Sequence, residues 1–206
     1  MRTRNVGIFL FPEVEVLDFA GPYEVFSVAS RVAVRDGAMR EAPFRVTTIA
    51  RSAAPVRARH GLQVVPDVTL ESHPRLGLLI VPGAVVPPSL GDGAALSWIA
   101  ATAAQAEIAA SVCTGAFLLA KAGLLDGHEA TTHWADVAEL RAAFPAVTVV
   151  ERRTWIDQGH IVTSAGISAG IEMSLHLVAR ILGETVARAT ARQMEYRWPE
   201  AACGSV

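Results

Sequence analysis

Ser111-Val112-Cys113-Thr114-Gly115 joins a short apolar run, 107–112, to an Ala- and Leu-rich segment that continues to about residue 122. This pattern predicts a strand, a tight turn at Cys113 and a helix. A residue at such a junction is forced into an unusual backbone angle, and its small neighbours make room for it.

Two interpretations of Cys113 follow from this position. At the turn its sulfur points at the amino end of the helix, where unpaired N–H groups and the helix dipole lower the pKa of a thiol. The alternative is that Cys113 is only a small buried hydrophobe, which is the usual fate of a free cysteine. Spacing alone leaves the two interpretations even.

Strand and helix patterns alternate on both sides of this turn. Strands are predicted at 6–11, 44–50, 76–81, 107–112, 129–132 and 147–150, hairpins at 56–65 and 155–163, and helices at 18–34, 94–104, 134–144, 167–182 and 185–194. The continuous apolar runs at 6–11 and 76–81 are typical of central parallel strands. We therefore predict a single-domain α/β fold, doubly wound, with a mostly parallel sheet and helices on both faces.

Ligands of such sheets bind beyond the carboxyl ends of the strands. This rule selects the loops at 12–18, 82–86 and 113–114 as the walls of a site. The domain is predicted to occupy residues 1–199. The small residues at 200–206, which include Cys203, are predicted to form a flexible tail.

Composition excludes several classes of protein. Of 206 residues 51% are hydrophobic, which is ample for a sizeable core, and the formal net charge of −2 provides no basic field for a nucleic-acid partner. Two cysteines do not make a disulfide framework. No apolar stretch has membrane-spanning length, and the first residues lack the features of a signal peptide. We therefore predict a cytoplasmic protein with no membrane partner.

Several blocks of the sequence resemble the ThiJ/PfpI superfamily. They are Ser-Val-Cys-Thr-Gly-Ala-Phe-Leu-Leu-Ala at 111–120, Ala-Gly-Leu-Leu-Asp-Gly at 122–127 and Ala-Thr-Thr-His-Trp at 130–134, with support from 11–22 and 163–171. The resemblance spans about residues 5–199, and two branches look most similar: the isocyanide hydratases and the sensor domain of AraC-type regulators. It implies a flavodoxin-like, class I glutamine amidotransferase-like fold with a nucleophile elbow at Cys113, and a homodimer that acts on a small molecule.

Asp18 falls where this superfamily holds an acid against the nucleophile, and the resemblance implies the same role here. A carboxylate and a thiolate at close range repel, so the pair is expected to share one proton. Isocyanide hydratases resemble this chain in using Asp there, although Phe19 departs from their aliphatic residue. Asp18 is also a good N-cap for the following helix, and both roles are compatible. The neighbouring Glu13 and Glu15 are expected to be solvated.

Thr114 follows the nucleophile directly. The protease-like branch has His at this place, so its absence argues against peptidase activity by a Cys-His pair. Isocyanide hydratases resemble this chain in having Thr, whose hydroxyl orients a water or the substrate. The alternative is a Thr that bonds the start of its own helix.

The remaining site residues are expected to line the substrate pocket. Gly83 and Ala84 lie where the superfamily presents backbone N–H groups as an oxyanion-type hole, although by sequence alone a simple strand-ending turn is the better explanation. His133 matches a family motif as either a catalytic base or a buried, hydrogen-bonded histidine. Ser164 and Gly166, at a strand end, are expected to form the floor. No pair of histidines has metal-ligand spacing, so neither metal nor cofactor is predicted.

Three functions are compatible with these residues. The leading hypothesis is the hydration of an isocyanide to an N-formamide by Cys113, Asp18 and Thr114. The second is a stand-alone ligand- or redox-sensing domain. AraC-type regulators carry helix-turn-helix units after this domain, and because the chain ends at Val206, direct DNA binding is not expected. The third is glyoxalase-type chemistry on small α-dicarbonyls, which usually accompanies Glu in the place of Asp18.

Overall fold

The computed structural model describes residues 2–85 and 90–198. The predicted tail at 200–206, Cys203 within it and the last residue of the predicted loop 82–86 lie outside the described residues. The division into a domain and a tail therefore stays a prediction.

Strands and helices alternate along the described chain. In order, the strands are β1 Arg4–Leu10, β2 Phe44–Ala50, β3 Val56–Arg57, β4 Gln63–Val64, β5 Val68–Thr69, β6 Leu78–Val81, β7 Ile108–Val112, β8 Glu129–Ala130, β9 Thr148–Val149, β10 Trp155–Asp157 and β11 Ile161–Ser164. The helices are α1 Val16–Arg35, α2 Gly93–Ala103, α3 Gly115–Lys121, α4 Val137–Ala143, α5 Ala169–Leu182 and α6 Glu184–Gln193, with 3₁₀ turns at Arg59–Gly61 and Trp134–Asp136.

Seven of the strands in the described chain form one sheet in the order β10-β11-β7-β6-β1-β2-β5. All neighbouring pairs are parallel except the hairpin of β10 and β11. Helices α1, α5 and α6 pack together as one layer, and α2 contacts α3 in another. The predicted doubly wound fold, with a mostly parallel sheet, is confirmed.

The order of the strands reverses between β1 and β6. From β1 the chain runs outward through β2 to β5, then returns to β6 on the other side of β1. The loops that follow β1 and β6 therefore separate at this switch point, which leaves a crevice beyond the carboxyl ends of both strands. The loop after β7 is adjacent, because β7 pairs with β6.

The central strands are buried on both faces, as their apolar sequences require. Every residue of β6 and β7 is buried, and Leu78, Leu79, Ile80 and Val81 each have 0% of their surface exposed. Covered strands have no solvent-facing side, which explains their continuous hydrophobic runs. None of the helices within 2–85 and 90–198 is both long and apolar enough to cross a lipid bilayer.

Some predicted elements differ from the structure. The helix predicted at 134–144 is a 3₁₀ turn followed by α4, and the helix predicted from 167 begins at Ala169. Strand β5 was not predicted, because two residues carry no pattern of their own and pair with β2 only through the tertiary fold. Asp18 is not the N-cap of α1: Glu15 occupies that position, and Asp18 lies inside the first turn.

Candidate active site

Cys113 lies at the sharp turn between β7 and α3 with a φ of 58°, in the left-handed region. This confirms the strained junction predicted from its small neighbours. Gly115 makes the turn possible, because a Cβ there would overlap the carbonyl oxygen of Val81. Only glycine lets α3 begin so close to the end of β6.

The backbone of Cys113 is held from two sides. Its N–H lies 3.2 Å from the carbonyl oxygens of both Ser164 and Ala165, and its own carbonyl accepts a 2.8 Å bond from the Thr132 hydroxyl. These bonds hold the unfavourable φ, which by itself costs about 1–3 kcal/mol. The sulfur is thereby presented at one fixed point, with 7% of the residue exposed.

Asp18 lies in the first turn of α1 and is completely buried. Its Oδ2 accepts a 2.9 Å bond from the Gly83 N–H, in the loop after β6. The second oxygen, Oδ1, has no full-strength hydrogen-bond partner among the described residues. The Cys113 thiol and the Ile167 N–H also stabilise the ionised carboxylate, since both lower the pKa of Asp18.

Burial nevertheless raises the pKa of Asp18 to about 7. The Gly83 N–H opposes this rise because it stabilises the charged form, and the carboxylate of Glu15 adds to it by repulsion. The Asp18 carboxyl is thus poised between its protonated and ionised forms at neutral pH.

Burial also raises the pKa of the Cys113 thiol to about 12, and the negative charge of Asp18 is the second cause. The N–H groups of Thr114 and Ile167 lower it, but less than the first two effects raise it. The predicted lowering of this pKa is therefore wrong: desolvation and a neighbouring carboxylate outweigh the amide groups at the helix start. Together Cys113 and Asp18 hold two protons below about pH 7 and one above it.

Ile167 is a site residue that sequence reasoning missed. Its φ is 55°, and its N–H contributes to the pKa of both Cys113 and Asp18. A β-branched residue rarely adopts the left-handed region, so the sequence pattern does not predict this conformation. The strain is retained because it turns one backbone donor toward both titrating groups.

Gly83 and Ala84 follow β6 as expected, but their N–H groups are already bonded. Gly83 donates to Asp18, and Ala84 donates a 2.9 Å bond to Thr114 Oγ1. The prediction that these N–H groups stand free as an oxyanion hole is corrected: they hold the acid and the hydroxyl in place. The Thr114 hydroxyl in turn donates to the Ala84 carbonyl at 2.8 Å. It thus bridges to another loop rather than capping its own helix.

An open cavity of about 360 Å³ leads to the sulfur. It is lined by Glu15, Arg59, Ala84, Val85, Cys113, Thr114, His133, Ala135, Asp136, Glu139 and Ile167. Asp18 is not among them, because it is completely buried. This cavity, which we call the cysteine cavity, opens at the switch point between β1 and β6, where the fold predicts a ligand.

Glu15 and Arg59 form part of its rim. Arg59 lies in the hairpin between β3 and β4, and its guanidinium contacts Glu15 Oε2 at 3.3 Å. The expectation of a solvated Glu15 is wrong, since only 23% of its side chain is exposed and it faces the cavity. Arg59 and Glu139 were missed because the short hairpin and α4 meet the site only through tertiary packing.

His133 lines the cysteine cavity and is half-buried. Its Nδ1 lies 3.0 Å from Asp136 Oδ2. Gly166 lets the ring pack closely, because a Cβ there would overlap it. Ser164, by contrast, is fully buried and its hydroxyl donates a 3.3 Å hydrogen bond to the Ser111 carbonyl, so it supports the strands and does not form the floor.

Within residues 2–85 and 90–198 no three His, Cys, Asp or Glu side chains group as metal ligands, and the absence of a metal stays a prediction.

Comparison with known proteins decides the family, because the DJ-1/PfpI family model matches residues 4–180. The chain belongs to the DJ-1/PfpI family. Among its relatives, the isonitrile hydratase of Pseudomonas putida is 37% identical over 193 residues, covering 93% of this chain and 78% of that protein. The HTH-type transcriptional regulator GbdR of Pseudomonas aeruginosa is 30% identical over 193 residues, covering 94% of this chain. This DJ-1/PfpI chain spans only about half the regulator's length, 51%.

A solved DJ-1/PfpI structure agrees with the fold. The crystal structure of a ThiJ/PfpI family protein from Pseudomonas syringae has a TM-score of 0.83 at 30% identity, covering 100% of this chain and 80% of that one. The predicted resemblance to the superfamily is thereby confirmed. What this DJ-1/PfpI site offers chemically is a thiol in the wall of a cavity, with a buried acid beside it that exchanges a proton near neutral pH.

Proposed function

We propose that this chain hydrates an isocyanide to an N-formamide. The observation that supports the proposal most is the Asp18 carboxyl, which is buried beside Cys113 with a pKa of about 7. An acid near its pKa both donates and accepts a proton at neutral pH, as a hydration needs in its two halves. The 37% identity to an isonitrile hydratase, a synonym for isocyanide hydratase, supports the same reaction.

In the first half the sulfur of Cys113 forms a bond to the terminal carbon of R–N≡C. The thiol proton passes to Asp18, and a proton from Asp18 reaches the same carbon. The product is the thioimidate R–N=CH–S–Cys113, and no proton is gained or lost overall. The raised pKa of Cys113 fits this order of steps, because the thiol keeps its proton until the Asp18 carboxylate takes it during the attack.

In the second half water adds to the thioimidate carbon. Asp18 accepts a proton from this water, the nitrogen is protonated, and the C–S bond then breaks with return of a proton to sulfur. R–NH–CHO leaves and the thiol is restored. Thr114 Oγ1 accepts a hydrogen bond from the Ala84 N–H and donates one to the Ala84 carbonyl. One lone pair of this oxygen is therefore left to accept a hydrogen bond from the attacking water.

A second function, a ligand-sensing domain, is favoured by the match to GbdR over 94% of this chain. A sensor needs the same cavity but no turnover. Glyoxalase-type chemistry through Cys113 remains the third candidate. We also infer a homodimer, a small-molecule substrate and a cytoplasmic location, all of which rest on the family resemblance and the composition.

Formamide production from 4-nitrophenyl isocyanide tests the proposal. Wild type should turn over, whereas Cys113→Ala and Asp18→Asn should each lose at least about a hundredfold in kcat/KM, a typical loss for a nucleophile or general acid. Asp126→Asn, at an exposed carboxylate, is the matched control and should retain full activity.

Failure of wild type to form any formamide would refute the hydratase function. Binding of the intact isocyanide without turnover would then favour the sensor, and loss of methylglyoxal would favour the glyoxalase. Light-scattering measurement of the molecular mass in solution tests the homodimer separately.

A further inference from the structure

A second cavity, of about 630 Å³, lies beside the cysteine cavity. Its walls include Trp134, Arg152, Arg153, Gly166 and Ser168, and we call it the arginine cavity. Both cavities are lined by His133 and Ile167, which we call the partition between them. The reaction steps proposed above do not involve the arginine cavity.

The arginine cavity reaches the residues that hold the nucleophile. Thr132 and Ala165 line it, and both bond the backbone of Cys113, through the Thr132 hydroxyl at 2.8 Å and the Ala165 carbonyl at 3.2 Å. Because His133 and Ile167 also line the cysteine cavity, the two cavities adjoin at the segments that hold the nucleophile.

The charge of the arginine cavity is positive and uncompensated. Within the described residues neither Arg152 nor Arg153 forms an ion pair or a side-chain hydrogen bond. The one carboxylate in the wall, Glu151, is already bonded to Arg141 at 3.0 Å. The cysteine cavity is different, because carboxylates face it and its arginine is paired with one of them.

The backbone brings the two arginines to one cavity. Successive residues of an extended chain point to opposite sides. Arg152 has a φ of 55°, in the left-handed region, which breaks this alternation so that Arg152 and Arg153 line the same space. Such a conformation costs about 1–3 kcal/mol for a residue other than glycine.

Trp134 supplies a flat apolar wall. It is 82% exposed, the highest value among the large hydrophobic side chains described, and it stands in the lining of the arginine cavity. Guanidinium groups and an aromatic face together suit a ligand with an anionic end and an apolar body. Carboxylate and phosphate groups both match the fork of a guanidinium, and the carboxylate is the smaller of the two.

We propose that the arginine cavity binds a carboxylate carried on the substituent of the isocyanide, so that the substrate class is the isocyano-carboxylic acids. The inference rests on the proposed hydratase function for its reaction and on the second cavity for its specificity. The isocyanide carbon lies at Cys113, the chain passes the partition of His133 and Ile167, and the carboxylate meets Arg152 and Arg153.

Steady-state kinetics with 4-isocyanobutanoate and its neutral methyl ester test this assignment. Wild type should favour the carboxylate by about tenfold in kcat/KM, the effect of one net charge-assisted bond. The double variant Arg152→Gln/Arg153→Gln should lose this preference, because its kcat/KM for the carboxylate falls to the value for the ester. Arg40→Gln/Arg75→Gln removes two exposed arginines elsewhere, matches the net charge and should keep the preference. An equal preference in wild type and R152Q/R153Q overturns the inference.

A binding measurement separates this inference from the hydratase function. Calorimetric titration with 4-formamidobutanoate, the hydration product, needs no catalysis and is made on wild type and on both double variants. Binding to wild type should weaken by about tenfold or more in R152Q/R153Q and stay unchanged in R40Q/R75Q. Absence of binding to wild type, or equal binding to R152Q/R153Q, overturns the carboxylate site. Absence of turnover with normal, arginine-dependent binding overturns only the hydratase function.

Discussion

The N–H of Gly83 donates a 2.9 Å hydrogen bond to Asp18 Oδ2, and a Cβ on Gly83 would stand only 2.7 Å from that same oxygen. The same Cβ would lie 2.6 Å from Thr114 Oγ1. The acid, the hydroxyl and the loop after β6 thus meet where no side chain fits. Glycine is needed here for close approach to polar atoms, since its φ is not in the left-handed region.

Gly83→Ala should therefore destabilise the protein by about 1–3 kcal/mol, because neither a buried carboxylate nor a helix start is free to move away. Urea unfolding measures the change. Gly93→Ala is the matched control, because a Cβ at Gly93 meets open space in the first turn of α2, and its stability should not fall. Equal stability of the two variants would contradict the packing described at Gly83.

The Asp18 carboxyl makes stability depend on pH. It ionises near pH 7 when folded but near 4 in the unfolded chain. Between about pH 4 and pH 7 the unfolded chain gains from ionisation while the folded protein does not, so Asp18 lowers the free energy of unfolding as pH rises. Asp18→Asn has no carboxyl to ionise, so its free energy of unfolding should not fall in this way. Its stability relative to wild type should grow by about 2–4 kcal/mol between those pH values.

Urea unfolding at about pH 5 and pH 8 measures this growth. Asp126→Asn, at an exposed position, should show no comparable change relative to wild type. A constant difference between Asp18→Asn and wild type across this range would mean that the pKa of Asp18 is not raised.

The same carboxylate should slow alkylation of Cys113. Its negative charge is the second cause of the raised thiol pKa, so Asp18→Asn lowers that pKa and increases the thiolate fraction. In a Cys203→Ser background, iodoacetamide should react about tenfold faster with Asp18→Asn than with wild type at about pH 8. An unchanged rate would mean that the two groups are out of electrostatic contact, and a slower one that the carboxylate activates the thiol by taking its proton. A variant that alkylates faster but makes no formamide separates the acid's two effects.

Thr114 should contribute to stability through Ala84. Its hydroxyl bonds both the N–H and the carbonyl of that residue, and Thr114→Val leaves these buried groups without the partner. Unfolding free energy should fall by about 1–3 kcal/mol. Thr114→Ser keeps the hydroxyl and should lose much less. If Thr114→Val unfolds with the free energy of wild type, the bridge to Ala84 contributes nothing to stability.

The elements around the nucleophile were predictable because their causes are local. The buried runs of β6 and β7 are hydrophobic at every position, and Gly115 and the small neighbours of Cys113 mark the sharp turn. Asp18, Gly83 and Thr114 also come together as the family resemblance implies. In each of these cases, residues close in sequence, or a motif already known, carry the information.

The remaining features arise from distances that no local pattern contains. The raised pKa of Cys113 comes from burial and from Asp18, on a different element. The bonded state of the Gly83 and Ala84 N–H groups depends on side chains from α1 and from the turn before α3. The left-handed Ile167 contradicts its own propensity. Arg152 and Arg153 are exposed, and nothing in the sequence pattern indicates that both line one cavity.

The donors that act on the Cys113 sulfur are the backbone N–H groups of Thr114 and Ile167, not side chains. Every amino acid except proline supplies the same N–H group, so mutational drift at Ile167 alters the wall of the cavity but leaves the donor in place. Over evolutionary time the pocket is free to diversify at this position while the N–H donor to the sulfur is kept. A single ancestral scaffold is thereby able to yield descendants that process different electrophiles, and descendants that only register their presence.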